Sequence, residues 1–121
     1  MKLSFQHLIL NSSNNSCGCL PNLLTMNSVH FTQSPVLPSY NVILVDWTGG
    51  ASGQYPVAVN NLRVVGACAG GLAAVLQENG ASLDMVHCIG HSLGGHTCGQ
   101  MGKFVRNQTD SILGRISGQS T

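Results

Sequence analysis

The chain has 121 residues, which is room for one small domain. Lys and Arg total 5 and Asp and Glu total 4, so the formal net charge is +1 and no nucleic-acid-binding surface is predicted. Hydrophobic residues make up 43% of the chain and charged residues 7%, which excludes a highly charged disordered segment. No apolar run approaches the roughly 20 residues that cross a bilayer, so no transmembrane segment is predicted.

Residues 1–40 show no sustained helical or strand period, and they hold most of the chain's prolines. We therefore predict a poorly structured N-terminal segment, or one unrelated to the fold that follows. The first ten residues resemble a secretory signal peptide only slightly, because Gln6 and His7 interrupt their apolar stretch. No convincing signal peptide is predicted.

The character of the chain changes at residue 41. Residues 41–46 form a short apolar run that is rich in β-branched side chains and is soon followed by glycines, which is typical of a strand buried on both faces. Residues 57–78 have apolar side chains at helical spacing, and Gly80 is placed to end this helix. Close packing on a sheet would explain the helix's internal glycines, which are Gly66, Gly70 and Gly71.

A second strand is predicted over residues 86–89, and it is followed by a glycine-rich turn. A second helix is predicted from Leu93 to about Val105, and a third strand begins near Leu113. The order strand–helix–strand–helix–strand predicts an α/β fold whose parallel strands are joined by right-handed crossover helices.

The turn after the second strand carries the pattern G-x-S-x-G at residues 90–94. Between a strand and a helix this pattern is typical of a nucleophile elbow, a sharp turn that exposes the serine hydroxyl above the sheet. Ser92 is therefore the candidate nucleophile, and the Leu93 N–H is the candidate donor to a tetrahedral oxyanion. We expect side chains at Gly90 and Gly94 to clash, because strand and helix approach closely there.

Two histidines flank the candidate nucleophile, but neither is predicted to be its base. His91 belongs to the elbow and precedes Ser92 on the tight turn, so its side chain is expected to point away from the hydroxyl. His96 follows within the helix and is expected to pack beneath the elbow. A base must come within hydrogen-bond reach of the proton that it removes.

Several linked motifs in this order resemble the pancreatic lipase family of animal neutral lipases, which includes lipoprotein and hepatic lipases. The resemblance runs from Asn41 to Gly118. The segments that carry it are V-I-L-V-D-W at 42–47, N-N-L-R-V-V-G at 60–66, V-H-C-I-G-H-S-L-G-G-H at 86–96 and G-R-I-S-G at 114–118.

The resemblance implies a partial α/β-hydrolase fold with an incomplete sheet over residues 41–118, followed by a tail at 119–121. It implies hydrolysis of triacylglycerol or phospholipid esters at a lipid–water interface, by an enzyme that is usually secreted and needs no cofactor. Ser92 matches the family's nucleophile, and Leu93 matches the residue whose amide helps to form the oxyanion hole. The choice between triacylglycerol and phospholipid stays open, and no protein partner is identified.

The resemblance also shows what the sequence lacks. In α/β-hydrolases the catalytic acid and then the histidine follow the serine, but this chain has no histidine after His96. Ser120 stands where the resemblance places the acid. We therefore expect a truncated chain without the triad Asp and His, inactive alone or at most a trace esterase. A non-catalytic lipase-like protein that binds lipid or a partner is the alternative.

The remaining polar residues have simpler interpretations. Asp46, Asp84 and Asp110 are predicted to be turn residues or solvated charges rather than triad acids. The five cysteines are an odd number, so we expect buried or free thiols rather than a complete disulfide framework. A metal-binding module is a rival, but His87 and His91 would not share a helical face, so no metal site is predicted.

Overall fold

A five-stranded sheet runs through the residues that the computed structural model describes, which are 2–4, 28–33 and 41–119. Its order is β2-β3-β1-β4-β5, in which β2 is antiparallel to β3 and every other neighbouring pair is parallel. The strands are β1 (Lys2–Ser4), β2 (Ser28–Gln33), β3 (Asn41–Asp46), β4 (His87–His91) and β5 (Arg115–Gln119). The carboxyl ends of the parallel strands meet at one edge, so the turn after β4 lies beside the end of β5.

Two of these strands lie within residues 1–40, for which the sequence predicted no regular structure. The three-residue β1 is shorter than the four to eight residues over which a strand pattern is detectable. In β2 the apolar Val29 and Phe31 alternate with polar residues, which is a strand pattern. The rest of the N-terminal segment lies outside the described residues.

Three α-helices and a short 3₁₀-helix at Leu83–Met85 connect the described strands after residue 41. The α-helices are α1 (Thr48–Ala51), α2 (Tyr55–Glu78) and α3 (Leu93–Thr109). Proline in the first turn of α2 suits a position without an intrahelical acceptor, and Gly80 follows the helix at φ +95°, a conformation that glycine adopts without strain. The second predicted helix extends beyond Val105 and ends at Asp110, which has left-handed φ of 54°.

The core forms where alternate residues of β3 and β4 pack with the inner faces of α2 and α3. Apolar burial of this kind contributes about 25 cal/mol for each Å² removed from water. The completely buried members of the cluster are Ile43, Val45, Val65, Cys88, Cys98, Met101 and Val105. The strand–helix–strand–helix–strand prediction for residues 41–119 is therefore confirmed, with β1 inserted between the first two predicted strands.

The glycines of α2 allow this helix to approach α3 closely. The sequence predicted that they allow close packing on the sheet, and this prediction is wrong for Gly66 and Gly70. A Cβ atom on Gly66 would lie 2.6 Å from the Cβ of Gln100 and 2.8 Å from the carbonyl oxygen of Thr97. A Cβ atom on Gly70 would lie 2.7 Å from a ring carbon of Phe104. The two helices therefore approach closely at Gly66 and Gly70.

One helix among the described residues, α2, has the length and apolarity of a membrane-spanning helix, with a mean hydropathy of 1.4. Polar residues interrupt its apolar positions, so it contains no continuous apolar run of this length. Of the 18-residue stretch of α2 that meets this test, 39% is buried, and Val65, Ala69 and Ala73 of α2 belong to the core. A single helix that meets this test by length and composition is weak evidence for a membrane span.

The helix contact predicts opposite effects for two glycine-to-alanine substitutions. Gly66→Ala forces α2 away from α3 and should lower the free energy of unfolding by about 1–3 kcal/mol. Gly99→Ala is the matched control, because a Cβ atom there meets no atom of the described residues within 4 Å and alanine favours the helix by up to about 1 kcal/mol. Urea denaturation followed by circular dichroism measures both. Equal midpoints for the two variants would contradict the close helix contact.

Candidate active site

Ser92 lies at the bend between β4 and α3, where the sequence places a nucleophile elbow. It is the residue before the first turn of α3, and its backbone has φ 51° and ψ −119°. Residues other than glycine rarely adopt such a conformation, which costs on the order of 1–3 kcal/mol and persists only where the surroundings enforce it. Strained residues of this kind are concentrated at functional sites.

The Ser92 hydroxyl is not used to cap the helix that follows it. A serine at this position ordinarily accepts a hydrogen bond from the second or third N–H of the helix, but the Ser92 side chain makes no such bond. Ser92 is instead exposed beside a cavity of about 340 Å³, called here the Ser92 pocket. The pocket is lined by Tyr55, Ser92, Leu93, Gly95, His96, Gly118 and Gln119.

Two backbone hydrogen bonds hold the bend in place. The Ser92 N–H donates to the carbonyl oxygen of Gln119 at 2.8 Å, which ties the elbow to the end of β5. The Gly95 N–H donates to the carbonyl oxygen of Ser92 at 3.0 Å and closes the first turn of α3. Both peptide groups that flank the Ser92 side chain are therefore fixed, and so is the direction in which that side chain projects.

Gly90 has no room for a side chain, as predicted. A Cβ atom there would lie 2.1 Å from the carbonyl carbon of Gly94 and 2.4 Å from the nitrogen of Gly95. The predicted clash at Gly94 is wrong, because a Cβ atom on that residue meets no described atom within 4 Å. The tight contact of the helix start is made by Gly95, whose Cβ atom would lie 3.1 Å from the Cα of Gly118.

Leu93 presents a backbone N–H at the positive end of α3. As the first residue of the helix, Leu93 has no intrahelical acceptor for this N–H. The aligned peptide dipoles of the helix add a partial positive charge at the same end. Leu93 is half-buried and lines the Ser92 pocket, and its assignment as a donor to a tetrahedral oxyanion stays a prediction.

The histidines differ in their positions around this pocket. His91 ends β4 and is exposed. His96 is also exposed and lines the Ser92 pocket, so the prediction that it packs beneath the elbow is wrong. Its position four residues after Ser92 explains this, because residues one helical turn apart share a face. Within residues 41–119 no hydrogen bond joins an imidazole to the Ser92 hydroxyl. The Nε2 atom of His87 lies 2.9 Å from the Oγ atom of Ser117, away from this pocket.

The three aspartates have local roles, as the sequence predicts. Asp46 accepts hydrogen bonds from the N–H of Thr48 at 2.9 Å and from its hydroxyl at 2.5 Å, and so fixes the start of α1. Asp84 accepts a hydrogen bond from the Ser82 hydroxyl. Asp110 ends α3 in a left-handed conformation. None of the three lines the Ser92 pocket, which has no carboxylate among its described lining residues.

Cys88 and Cys98 form a disulfide with both side chains completely buried. The expectation of buried cysteines is confirmed for this pair and for Cys68, and the expectation of free thiols is wrong for all three, because Cys68 is disulfide-bonded as well. The ten-residue separation gave no signal in the sequence, because it becomes a short distance only when α3 folds back along β4. Among residues 2–4, 28–33 and 41–119 there is no group of three or more His, Cys, Asp or Glu side chains placed to hold a metal ion.

Comparison with known proteins identifies the fold to which this elbow belongs. A sequence model of the Lipase family matches residues 21–120. The chain belongs to the lipase family. The match begins upstream of the predicted domain start at residue 41, so part of the N-terminal segment is included in it.

Individual lipases show the same relationship at the level of sequence identity. The pancreatic triacylglycerol lipase of Mus musculus is 49% identical over 81 residues, which is 66% of this chain and 17% of that protein. The enzyme of Oryctolagus cuniculus is 44% identical over 79 residues, 64% of this chain and 16% of its own length. A putative endothelial lipase of Crotalus adamanteus is 44% identical over 79 residues, 64% of this chain and 15% of its own length. These alignments therefore span only a small part of each relative. The predicted resemblance to the pancreatic lipase family is confirmed.

The backbone contact at the elbow predicts different outcomes for the two outer glycines of the motif. Gly90→Ala should lower the free energy of unfolding by about 3 kcal/mol, because the new methyl group collides with backbone atoms that cannot move aside. Gly94→Ala should change it by less than about 1 kcal/mol. Chemical denaturation of the two variants in parallel measures the difference. A similar loss in both would show that the elbow is not closed by contact at Gly90.

Proposed function

We propose that Ser92 is the nucleophile of a lipase-family serine ester hydrolase. The observation that carries the proposal is a strained serine whose hydroxyl is exposed in a pocket instead of capping its helix. In the proposed reaction, Oγ bonds to the ester carbonyl carbon, and a base takes the hydroxyl proton and passes it to the departing alcohol. Water then attacks the acyl-serine, which releases the fatty acid and restores the hydroxyl.

The Leu93 N–H is proposed to stabilise the oxyanion that forms in both steps. Two features support this role. The first N–H of α3 has no acceptor within the helix, and the positive end of α3 lies beside the pocket. A single donor of this kind is worth about 10²–10³ in turnover. Gly90 and Gly94 complete the elbow motif around it, and His91 occupies the position before the nucleophile.

The proposed reaction needs a base, and the described residues place none beside the Ser92 hydroxyl. No described imidazole reaches the Ser92 hydroxyl, and the sequence has no histidine after His96 to follow the order of an α/β-hydrolase triad. Loss of the histidine in a serine hydrolase costs on the order of a millionfold in turnover. We therefore propose that this chain alone supports at most trace ester hydrolysis.

The proposed substrate is a triacylglycerol or phospholipid ester presented at a lipid–water interface. The support comes from the names of the relatives, which are triacylglycerol and endothelial lipases, and from the pocket, whose lining residue Tyr55 is 69% exposed. An extracellular location is proposed on the same relatives and on the Cys88–Cys98 disulfide, since such bonds persist in oxidising compartments. The chemistry uses protein groups and requires no cofactor.

Labelling with a fluorophosphonate tests the nucleophile. The probe should bind Ser92 slowly, and added imidazole should accelerate labelling several-fold because it supplies the missing base. Ser92→Ala should abolish the labelled peptide. Ser117→Ala is the matched control, because the Ser117 hydroxyl has an imidazole beside it but lies outside the pocket, and this variant should leave labelling unchanged.

Two results would count against the proposal. Labelling that is absent at Ser92 in the folded chain, with and without imidazole, would remove the nucleophile and favour a lipase-like protein that binds lipid or a partner. Rapid labelling without imidazole would overturn the proposed trace activity, since it requires a base within the chain.

A further inference from the structure

The Cys88–Cys98 disulfide encloses the elbow. Cys88 lies in β4 before the bend and Cys98 lies in α3 after it, and the two Cα atoms are 5.8 Å apart. Every residue of the G-x-S-x-G motif therefore sits inside one covalently closed loop. Both cysteine side chains are completely buried in the core between the strand and the helix.

The loop closure acts against the movement that would relax Ser92. A residue with φ 51° can reach an ordinary conformation only if the strand before it and the helix after it change their relative direction. The backbone contact at Gly90 already holds β4 and α3 together at the start of the helix. The disulfide fixes the same two elements at a second point, one helical turn deeper in the core, so they cannot separate by pivoting about Gly90.

The other support of the bend is of a different kind. The hydrogen bond from the Ser92 N–H to the carbonyl oxygen of Gln119 depends on β5 staying docked beside β4. The disulfide joins β4 directly to α3 and does not depend on β5. It is therefore the one covalent constraint that the described residues place across the elbow itself.

We propose that Cys88 and Cys98 are positioning residues, whose disulfide keeps Ser92 in its strained, pocket-facing conformation. The functional meaning of this positioning rests on the proposed role of Ser92 as nucleophile, but the constraint on the backbone can be measured without any activity. Breaking the bond should loosen the elbow locally, before the core helices are affected.

Amide hydrogen exchange of the full chain, measured by NMR, tests this. In Cys88→Ala, Cys98→Ala and the double variant, the amides of Ser92 and Gly95 should exchange at least about tenfold faster relative to the amide of Ala69 in α2. The two single variants and the double variant should be equal, because each removes the same bond. Cys68→Ala, which removes a different disulfide at a buried position of α2 outside this loop, is the control and should leave the ratio unchanged.

The exchange ratio separates a local constraint from general stabilisation. If the amides of Ser92, Gly95 and Ala69 accelerate together, the disulfide contributes only to global stability and the proposal is wrong; an unchanged ratio is equally against it. Fluorophosphonate labelling of the same variants separates this from the proposed function. If the elbow loosens in the variants but Ser92 is not labelled in the parent chain, the positioning role of the disulfide stands and the proposal that Ser92 is a nucleophile is wrong.

Discussion

A contact between backbone atoms governs the candidate site. The strand β4 and the first turn of α3 meet at Gly90, where a Cβ atom would lie 2.1 Å from the carbonyl carbon of Gly94. Because the two elements meet so closely, the chain must reverse direction within Ser92, which takes up a conformation that costs on the order of 1–3 kcal/mol. The hydroxyl then faces the pocket instead of the helix end. The proposed chemistry is therefore a consequence of where the strand and the helix can touch.

The parts of this arrangement that depend on local pattern could be predicted from the sequence. The apolar run at 41–46, the helical spacing over 57–78 and the motif at 90–94 each act over a few residues, and the structure places each in the predicted element. The family resemblance supported these predictions, because the matching segments occur along the chain in the same order as in the family. The aspartate roles were predictable for the same reason, since a carboxylate such as Asp46 binds the backbone two residues away.

The missed features depend on contacts between distant segments. Gly66 packs against α3, which lies more than thirty residues further along the chain. No local sequence pattern shows whether a glycine in α2 packs against a helix or against a sheet. The space around Gly94 depends on how the start of α3 lies against the neighbouring segments. The disulfide required Cys98 to come back to β4, and the three-residue β1 is recognisable only by its pairing with β3 and β4. Tertiary packing, and not residue preference, determines all of them.

The most direct measurement of this account is the backbone conformation of Ser92 in solution. The intraresidue NOE between the amide proton and the α proton, together with residual dipolar couplings of the same peptide groups, determines the sign of φ. The account predicts a positive φ close to 51°, with the Ser92 amide bound to the Gln119 carbonyl. An ordinary helical or extended φ at Ser92 would contradict it, because the hydroxyl would then be an N-cap and the pocket would have no nucleophile.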